Sequence, residues 1–200
     1  MAVLFPNSFN AALVVFLARI PRRFGYAADG RSLLLTDTVA PPSQSKQMHQ
    51  VKYYEEFIRS ICPAYSSTPP LMKVSIDDEV QANKLLASHA VSEDVVLLGL
   101  NPGAVYGGAK QWLPERFAGA ADQIVQNIAT DRIHADHVRC VIVGAPGEET
   151  LGLYVAGLMR TRPVVLSGKT SLGELKAVIQ RCRLFLTNDT GPMHIANALG

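Results

Sequence analysis

The sequence predicts an α/β fold whose second part is a parallel, doubly wound sheet. Three observations carry that expectation. From Asp77 onward, short continuous apolar runs alternate with segments of helical period, the rhythm of βαβ units. Upstream, Ser66-Ser67-Thr68-Pro69-Pro70 is a run of turn and linker residues, which divides the chain into a part over 1–68 and a part over 69–200. Finally, 48% hydrophobic against 18% charged residues in a chain of 200 supplies enough apolar side chain for a well-buried core.

In chain order, Ala2 to Phe5 reads as a short strand ended by Pro6-Asn7. Ser8 can cap the helix that follows. Ala11 to Ile20 is apolar almost all round, which predicts a buried core helix beside a sheet. A membrane-surface helix would carry a basic face, and here only Arg19 is charged. Pro21 is the expected stop. Arg22 to Tyr26 reads as a strand, Asp29-Gly30 as a turn, Leu33 to Leu35 as another short strand, and Val39 to Lys46 as loop. Val51, Tyr54, Phe57, Ile58 and Ile61 recur at helical spacing, so His49 to Ile61 is a helix, closed by Pro63.

Beyond the linker, helices are expected over Asp77–His89, Pro114–Ile128, Glu148–Met159 and Ser171–Arg181. Strands are expected over Val95–Leu100, Val138–Val143, Val164–Leu166 and Leu184–Leu186. Ser171-x-x-Glu174 is a capping box. Gly200 falls where the C-cap of the last helix belongs, and the first residues read as a mid-sheet strand rather than a leader. Both ends therefore read as cut from a longer chain.

Composition excludes several classes. The net charge of +2, with no Lys/Arg block, does not suit nucleic-acid binding. Cys62, Cys140 and Cys182 form no Cys-x-x-Cys pair, and their apolar neighbours predict buried free thiols in a reducing compartment. Five histidines show no metal-ligand spacing. No apolar run reaches the roughly 18 residues of a membrane span.

Two stretches carry chemistry. Leu184-Phe185-Leu186 runs through a polar turn, Asn188-Asp189-Thr190-Gly191, into a segment opened by Pro192. Proline suits the first helical turn because its missing N–H costs nothing there. The amides of Thr190, Gly191 and the first turn would face whatever sits beyond the strand end, an anion site at the carboxyl edge of a sheet. His194 lies one turn in. An ordinary capped βα connection would have the same residues. The second stretch, Leu97 to Pro114, is a buried strand followed by a loop containing Gly103, Gly107 and Gly108 and ending at Lys110. Glycines let amides approach phosphate oxygens, and lysine adds a point charge. The loop is neither a Walker A nor a Gly-x-Gly-x-x-Gly sequence, and a flexible surface loop with a solvated lysine is the alternative.

Asp-Thr-Gly-Pro-Met-His-Ile-Ala at Asp189 to Ala196 resembles the C-terminal signature of glycosyltransferase family nine, the bacterial lipopolysaccharide heptosyltransferases. Pro-Gly-Ala at Pro102 to Ala104, followed by Tyr-Gly-x-Ala-Lys-x-Trp-x-Pro from Tyr106, resembles the donor-binding loop of its heptosyltransferase II group. Leu4 to Phe9, Ile20 to Tyr26 and His49 to Tyr54 are similar to the N-terminal half of the same enzymes. The resemblance implies a GT-B fold of two Rossmann-like domains with parallel sheets. Residues 1–68 would be the later part of the acceptor-side domain, and 69–200 a truncated donor-binding domain.

It implies an inverting glycosyltransferase that moves L-glycero-D-manno-heptose from ADP-heptose to the inner core of lipopolysaccharide, on a heptosyl-Kdo-lipid A type acceptor. Such an enzyme is cytoplasmic, in peripheral contact with the inner membrane, and needs neither metal nor other cofactor. Lys110 would be the cation on the donor phosphates. Gly103, Asp189, Thr190, Gly191 and His194 would belong to the donor site, with Asp189 facing the sugar or orienting Lys110. Glu148 would meet the ribose, or simply begin a helix; Thr170 would line the adenine pocket, or act as a cap. Arg22 and Arg23 would face acidic acceptor groups, or form a solvated pair. Val105 stands where some relatives carry a hydroxyl. The family's general base, an aspartate in an earlier Gly-rich loop, has no counterpart here, so a chain of this extent is expected to be inactive alone. Another GT-B nucleotide-sugar enzyme and a non-catalytic nucleotide-sugar binding module are the alternative functions.

Overall fold

The computed structural model describes residues 1–45, 47–104, 110–129 and 137–200. Residues Val105 to Ala109 of the Gly-rich loop lie outside the described residues. The chain separates into two compact units, Met1–Thr68 and Pro69–Gly200.

In the first unit, β1 (Ala2–Leu4), β2 (Arg23–Tyr26) and β3 (Asp37–Val39) form a parallel sheet in that order. Helices α1 (Phe9–Leu17) and α2 (Gln50–Ile61) accompany it. Ser8 accepts the Ala11 amide and caps α1. The helix is not the buried one its composition suggested: Ala12 is fully buried, whereas Phe9, Val14, Phe16 and Leu17 are exposed. A helix has room for only one face against a small sheet, here through Ala12 and Val15 onto Leu4 and Leu35. It ends before Pro21 does any work, because Ala18 caps it and Arg19 turns the chain with φ of 54°.

Leu33 to Leu35 is not a strand. Arg31–Leu34 forms a 3₁₀ turn, and the strand comes later, at Asp37–Val39. The cause is Arg31, which is fully buried and donates to the carbonyls of Tyr26 and Pro6 and to Asn7 Oδ1. Satisfying a buried guanidinium pulls this segment off the sheet. On the other side of the sheet, Tyr26, Tyr53 and Phe57 pack as an aromatic cluster.

Arg22 pairs with Asp37 at 3.3 Å and lies over the Phe24 ring. Arg23 donates to the Leu34 and Ile20 carbonyls and lies over Phe16. Arg23 is thus engaged within this unit, whereas the Arg22 side chain is 62% exposed and keeps much of its solvation.

The second unit holds the helices α3 (Ile76–Ser88), α4 (Pro114–Ile128), α5 (Glu149–Leu158), α6 (Leu172–Arg181) and α7 (Gly191–Leu199) and the strands β4 (Val96–Asn101), β5 (Val138–Ile142), β6 (Val164–Val165) and β7 (Leu184–Thr187). All neighbours in the sheet are parallel, in the order β6-β5-β4-β7. Side chains alternate along β4. Leu98 and Leu100 join the core under α4 and α5, with Phe117, Ile142 and Val155. Leu97 joins the opposite core with α3 and α6, through Leu86, Val91 and Val178. A sheet covered on both faces explains why β4 and β5 read as continuous apolar runs. The capping box at Ser171 and Glu174 is complete, at 3.2 and 2.7 Å.

The cysteines are less uniform than their neighbours implied. Cys140 is buried, Cys182 partly so and Cys62 exposed. Burial pushes the Cys140 thiol up to about 11 and the Cys182 thiol up to about 12, so both stay protonated and unreactive at neutral pH.

Gly99 lets β7 lie against β4. A Cβ there would overlap the Phe185 ring and come within 2.7 Å of Cys182 Sγ. Gly157, exposed in α5, has nothing within 4 Å of the same position. Gly99→Ala is therefore expected to cost about 1–3 kcal/mol through overpacking. Gly157→Ala is expected to gain about 0.5–1 kcal/mol from helix propensity. Thermal melts of the two variants should move in opposite directions from the parent; a Gly99→Ala melt at or above it would refute the packing account.

Candidate nucleotide-phosphate site

The order β6-β5-β4-β7 means that the chain winds outward from β4 through β5 to β6, then crosses back to the other side of β4 with β7. The helices that follow β4 and β7 consequently lie on opposite faces of the sheet, α4 in one core and α7 beside α6 of the other. A crevice opens at such a reversal, and it is where open parallel sheets hold ligands.

The crevice is real in this unit. A cleft of about 310 Å³ lies over the carboxyl ends of the strands, near the lower end of the usual range of about 300–1,000 Å³ for ligand pockets. Its walls come from the ends of β4 (Asn101, Gly103), β5 (Gly144, Glu148) and β6 (Thr170), and from the turn after β7 (Thr190, Gly191). Pro146, Leu172, Leu175 and Ile195 make much of the remaining lining apolar.

Five of the residues singled out from the sequence therefore meet in one cleft: Gly103, Glu148, Thr170, Thr190 and Gly191. Gly103 leaves room for the Glu148 carboxylate, which a Cβ there would displace from its present position. Glu148 is the N-cap residue of α5 but makes no capping bond. Its Oε2 instead accepts the Ala145 amide at 2.7 Å. Thr170 precedes the cap of α6, which is Ser171.

Lys110 and Asp189 sit beside the cleft rather than in its lining. Lys110 Nζ meets Asp189 Oδ2 at 2.8 Å. The two come from loops 79 positions apart in sequence, so the pairing is a product of β4 and β7 being neighbours. Both side chains are about half exposed, 47% and 59%; solvent screening makes such a pair a weak contributor to stability. The hydrogen bond from Lys110, with its charge, holds the Asp189 carboxyl below the ordinary aspartate value, and His194 adds a smaller field in the same direction. His194 itself is exposed on α7 and does not line the cleft.

The turn offers fewer amides than the sequence suggested. Pro192 has none, and the Met193 amide is taken by the Thr190 carbonyl at 3.1 Å. Those of Thr190 and Gly191 make no hydrogen bond among the described residues. They are the ones left for an anion at the positive end of α7.

Sequence reading missed two asparagines. Asn188 donates to the Pro102 carbonyl at 2.8 Å and accepts the Trp112 amide at 3.3 Å. Asn101, only 2% exposed, donates to Thr187 Oγ1 at 3.1 Å and Thr190 Oγ1 at 2.8 Å. Together they tie the loop after β4 to the turn after β7. An amide ending an apolar strand, as Asn101 does, was the available signal, because a buried amide there requires partners.

The family model of glycosyltransferase family 9 (heptosyltransferase) matches residues 1–200. The chain belongs to this family. Among its relatives, the lipooligosaccharide heptosyltransferase 2 of Haemophilus influenzae is 29% identical over 208 residues, which take in 100% of this chain and 57% of the relative. The lipopolysaccharide heptosyltransferase 2 of Escherichia coli is 27% identical, over 99% of this chain and 56% of the relative. The chain thus spans a little over half the length of these glycosyltransferase family 9 proteins.

Solved structures agree in fold. A glycosyl transferase family 9 protein from Veillonella parvula superposes with a TM-score of 0.79 at 23% identity, covering 99% of this chain and 54% of that one. The ADP-heptose LPS heptosyltransferase II of Escherichia coli does so with a TM-score of 0.70 at 26% identity, covering 98% and 59%. The parallel α/β architecture is that of GT-B-type glycosyltransferase family 9 members, as the resemblance implied.

The Lys110–Asp189 contact has a pH signature. A carboxyl with a depressed folded value keeps its pairing above the ordinary value of 3.8 and loses it as pH falls through the lower folded value. An NMR titration should place the Asp189 midpoint below 3.8 in the parent chain and return it toward 3.8 in Lys110→Ala. A midpoint that Lys110→Ala does not move would show that the pair does not exist in solution.

Proposed function

We propose that the second unit binds the ADP moiety of ADP-L-glycero-D-manno-heptose. The whole protein would then transfer the heptose, with inversion, to a heptosyl-Kdo-lipid A type acceptor in building the lipopolysaccharide core. The observation that carries this reading is the cleft at the β4/β7 reversal. It sets an apolar wall, two unpaired amides and a lysine side by side, which suits a base, a diphosphate and its charge in turn. Membership of the heptosyltransferase family supports the same reading.

In this mechanism a carboxylate base takes the proton of the acceptor hydroxyl as its oxygen displaces the diphosphate from the anomeric carbon. Negative charge grows on the bridging phosphate oxygen as the bond breaks. The Thr190 and Gly191 amides would meet that charge as preorganised donors, which lower the barrier without moving, and Lys110 adds its charge from beside the cleft. Lys110 exchanges Asp189 for phosphate, or bridges the two, so Asp189 keeps the ammonium aimed at the site before the donor arrives. Glu148, beside Gly103, meets the ribose hydroxyls, and Thr170 faces the base. Because the acceptor is a lipid, the protein works at the cytoplasmic face of the inner membrane, in peripheral contact with it. No helix among the described residues is long and apolar enough to cross a membrane.

Calorimetry with ADP on this chain tests the donor half, and transfer from ADP-heptose to heptosyl-Kdo-lipid A by the full-length parent tests the reaction. A charge-assisted phosphate contact is worth roughly 1.5–3 kcal/mol, so Lys110→Ala in the parent should lower turnover about 10- to 100-fold. Unchanged turnover would return Lys110 to the protein surface as a solvated side chain. ADP binding without transfer by the parent would leave a nucleotide-sugar binding module and remove the enzyme.

A further inference from the structure

The buried hydrogen bonds beneath the cleft have a definite direction. Thr187 has one hydroxyl proton, and it goes to the Asn188 carbonyl at 2.8 Å. Thr187 Oγ1 can therefore only accept from Asn101, which means that Asn101 turns its NH₂ end, not its carbonyl, toward the two threonines. The same NH₂ reaches Thr190 Oγ1 at 2.8 Å. Thr190 Oγ1 is then an acceptor on the protein side, and its own proton finds no acceptor among the described residues. Thr190 and Asn101 both line the cleft, so the proton is left for the ligand.

We propose that Asn101 is a positioning residue for phosphate recognition: its side-chain amide fixes the Thr190 hydroxyl as a hydrogen-bond donor directed into the cleft. Without it, the hydroxyl is free to turn and accept, presenting a lone pair to an anion. With it, the Thr190 hydroxyl joins the Thr190 and Gly191 amides as a third donor on one side of the cleft. Burial strengthens the arrangement, because Asn101 is 2% exposed and no water competes for its amide on the protein side. This inference rests on the cleft holding a nucleoside diphosphate.

The test is calorimetry with two probes, ADP and adenosine, which share the nucleoside and differ in phosphate. Asn101→Ala should weaken ADP about tenfold, the scale of one charged hydrogen bond, and leave adenosine within about twofold. A general packing defect would weaken both alike. Thr190→Val should weaken ADP at least as much, and adding Asn101→Ala to Thr190→Val should cost nothing further, since the amide acts through the hydroxyl.

Should Asn101→Ala melt below the working temperature, Asn101→Leu keeps the bulk while removing the amide and is judged by the same criteria. Equal losses for ADP and adenosine, additive losses in the double variant, or a Thr190→Val that binds ADP like the parent would each overturn the inference. Failure of the parent to bind ADP at all would be distinct. It would remove the nucleotide reading of the cleft, and this inference with it.

Discussion

β4 and β7 run side by side and parallel, with Asn101 level with Thr187 and Leu98 level with Leu184. Everything at the candidate site depends on that pairing. It joins stretches more than eighty positions apart and brings together two loops that have no local reason to meet. It is possible because Gly99 presents no side chain to Phe185, and because α6 carries the chain back across the sheet. Once the strands are in register, the amides of Asn101 and Asn188 have partners, the Lys110–Asp189 contact forms, and the turn before α7 faces the cleft. The site is a consequence of sheet order, with side chains added at the strand ends.

The division of labour between buried and exposed groups follows from dielectric. Asn101 is buried and neutral; its hydrogen bonds are strong, directional and costly to break. Lys110 and Asp189 are half exposed and screened, so their contact contributes little to stability and is easily exchanged. The candidate site thus combines a buried neutral network with a half-exposed charge pair beside it.

Much of the second unit was legible in the sequence, and the reasons are physical. Buried parallel strands must be continuously apolar, so Val96–Asn101 and Val138–Ile142 stood out. Helices announce themselves by caps, as at Ser171–Glu174, or by a proline in the first turn, as at Pro114 and Pro192. The strand ends pointed to Gly103, Lys110 and Asp189 because that is where such sheets bind anions. What was not legible is what depends on tertiary neighbours. Strand order decides which loops meet, and no local pattern encodes it. Asn188 reads as an ordinary turn residue until its partners are known, and which groups Asn101 meets depends on the strand beside it. In the first unit, Arg31 overrode an apolar triplet that reads as a strand, and α1 has more apolar surface than a three-stranded sheet can cover. His194, one turn into α7, lies near enough to Asp189 to act on its carboxyl but is not among the cleft's lining residues.

The claim that the β4/β7 cleft is where the phosphates of a nucleotide sit is tested most directly by amide chemical shifts. Titrating ADP into the ¹⁵N-labelled chain should move the resonances of Thr190 and Gly191 most, with Gly103, Ala145 and Ser171 following around the rim, and leave the first unit still. Saturable shifts confined to another surface, or none at Thr190 and Gly191 at saturating ADP, would contradict it.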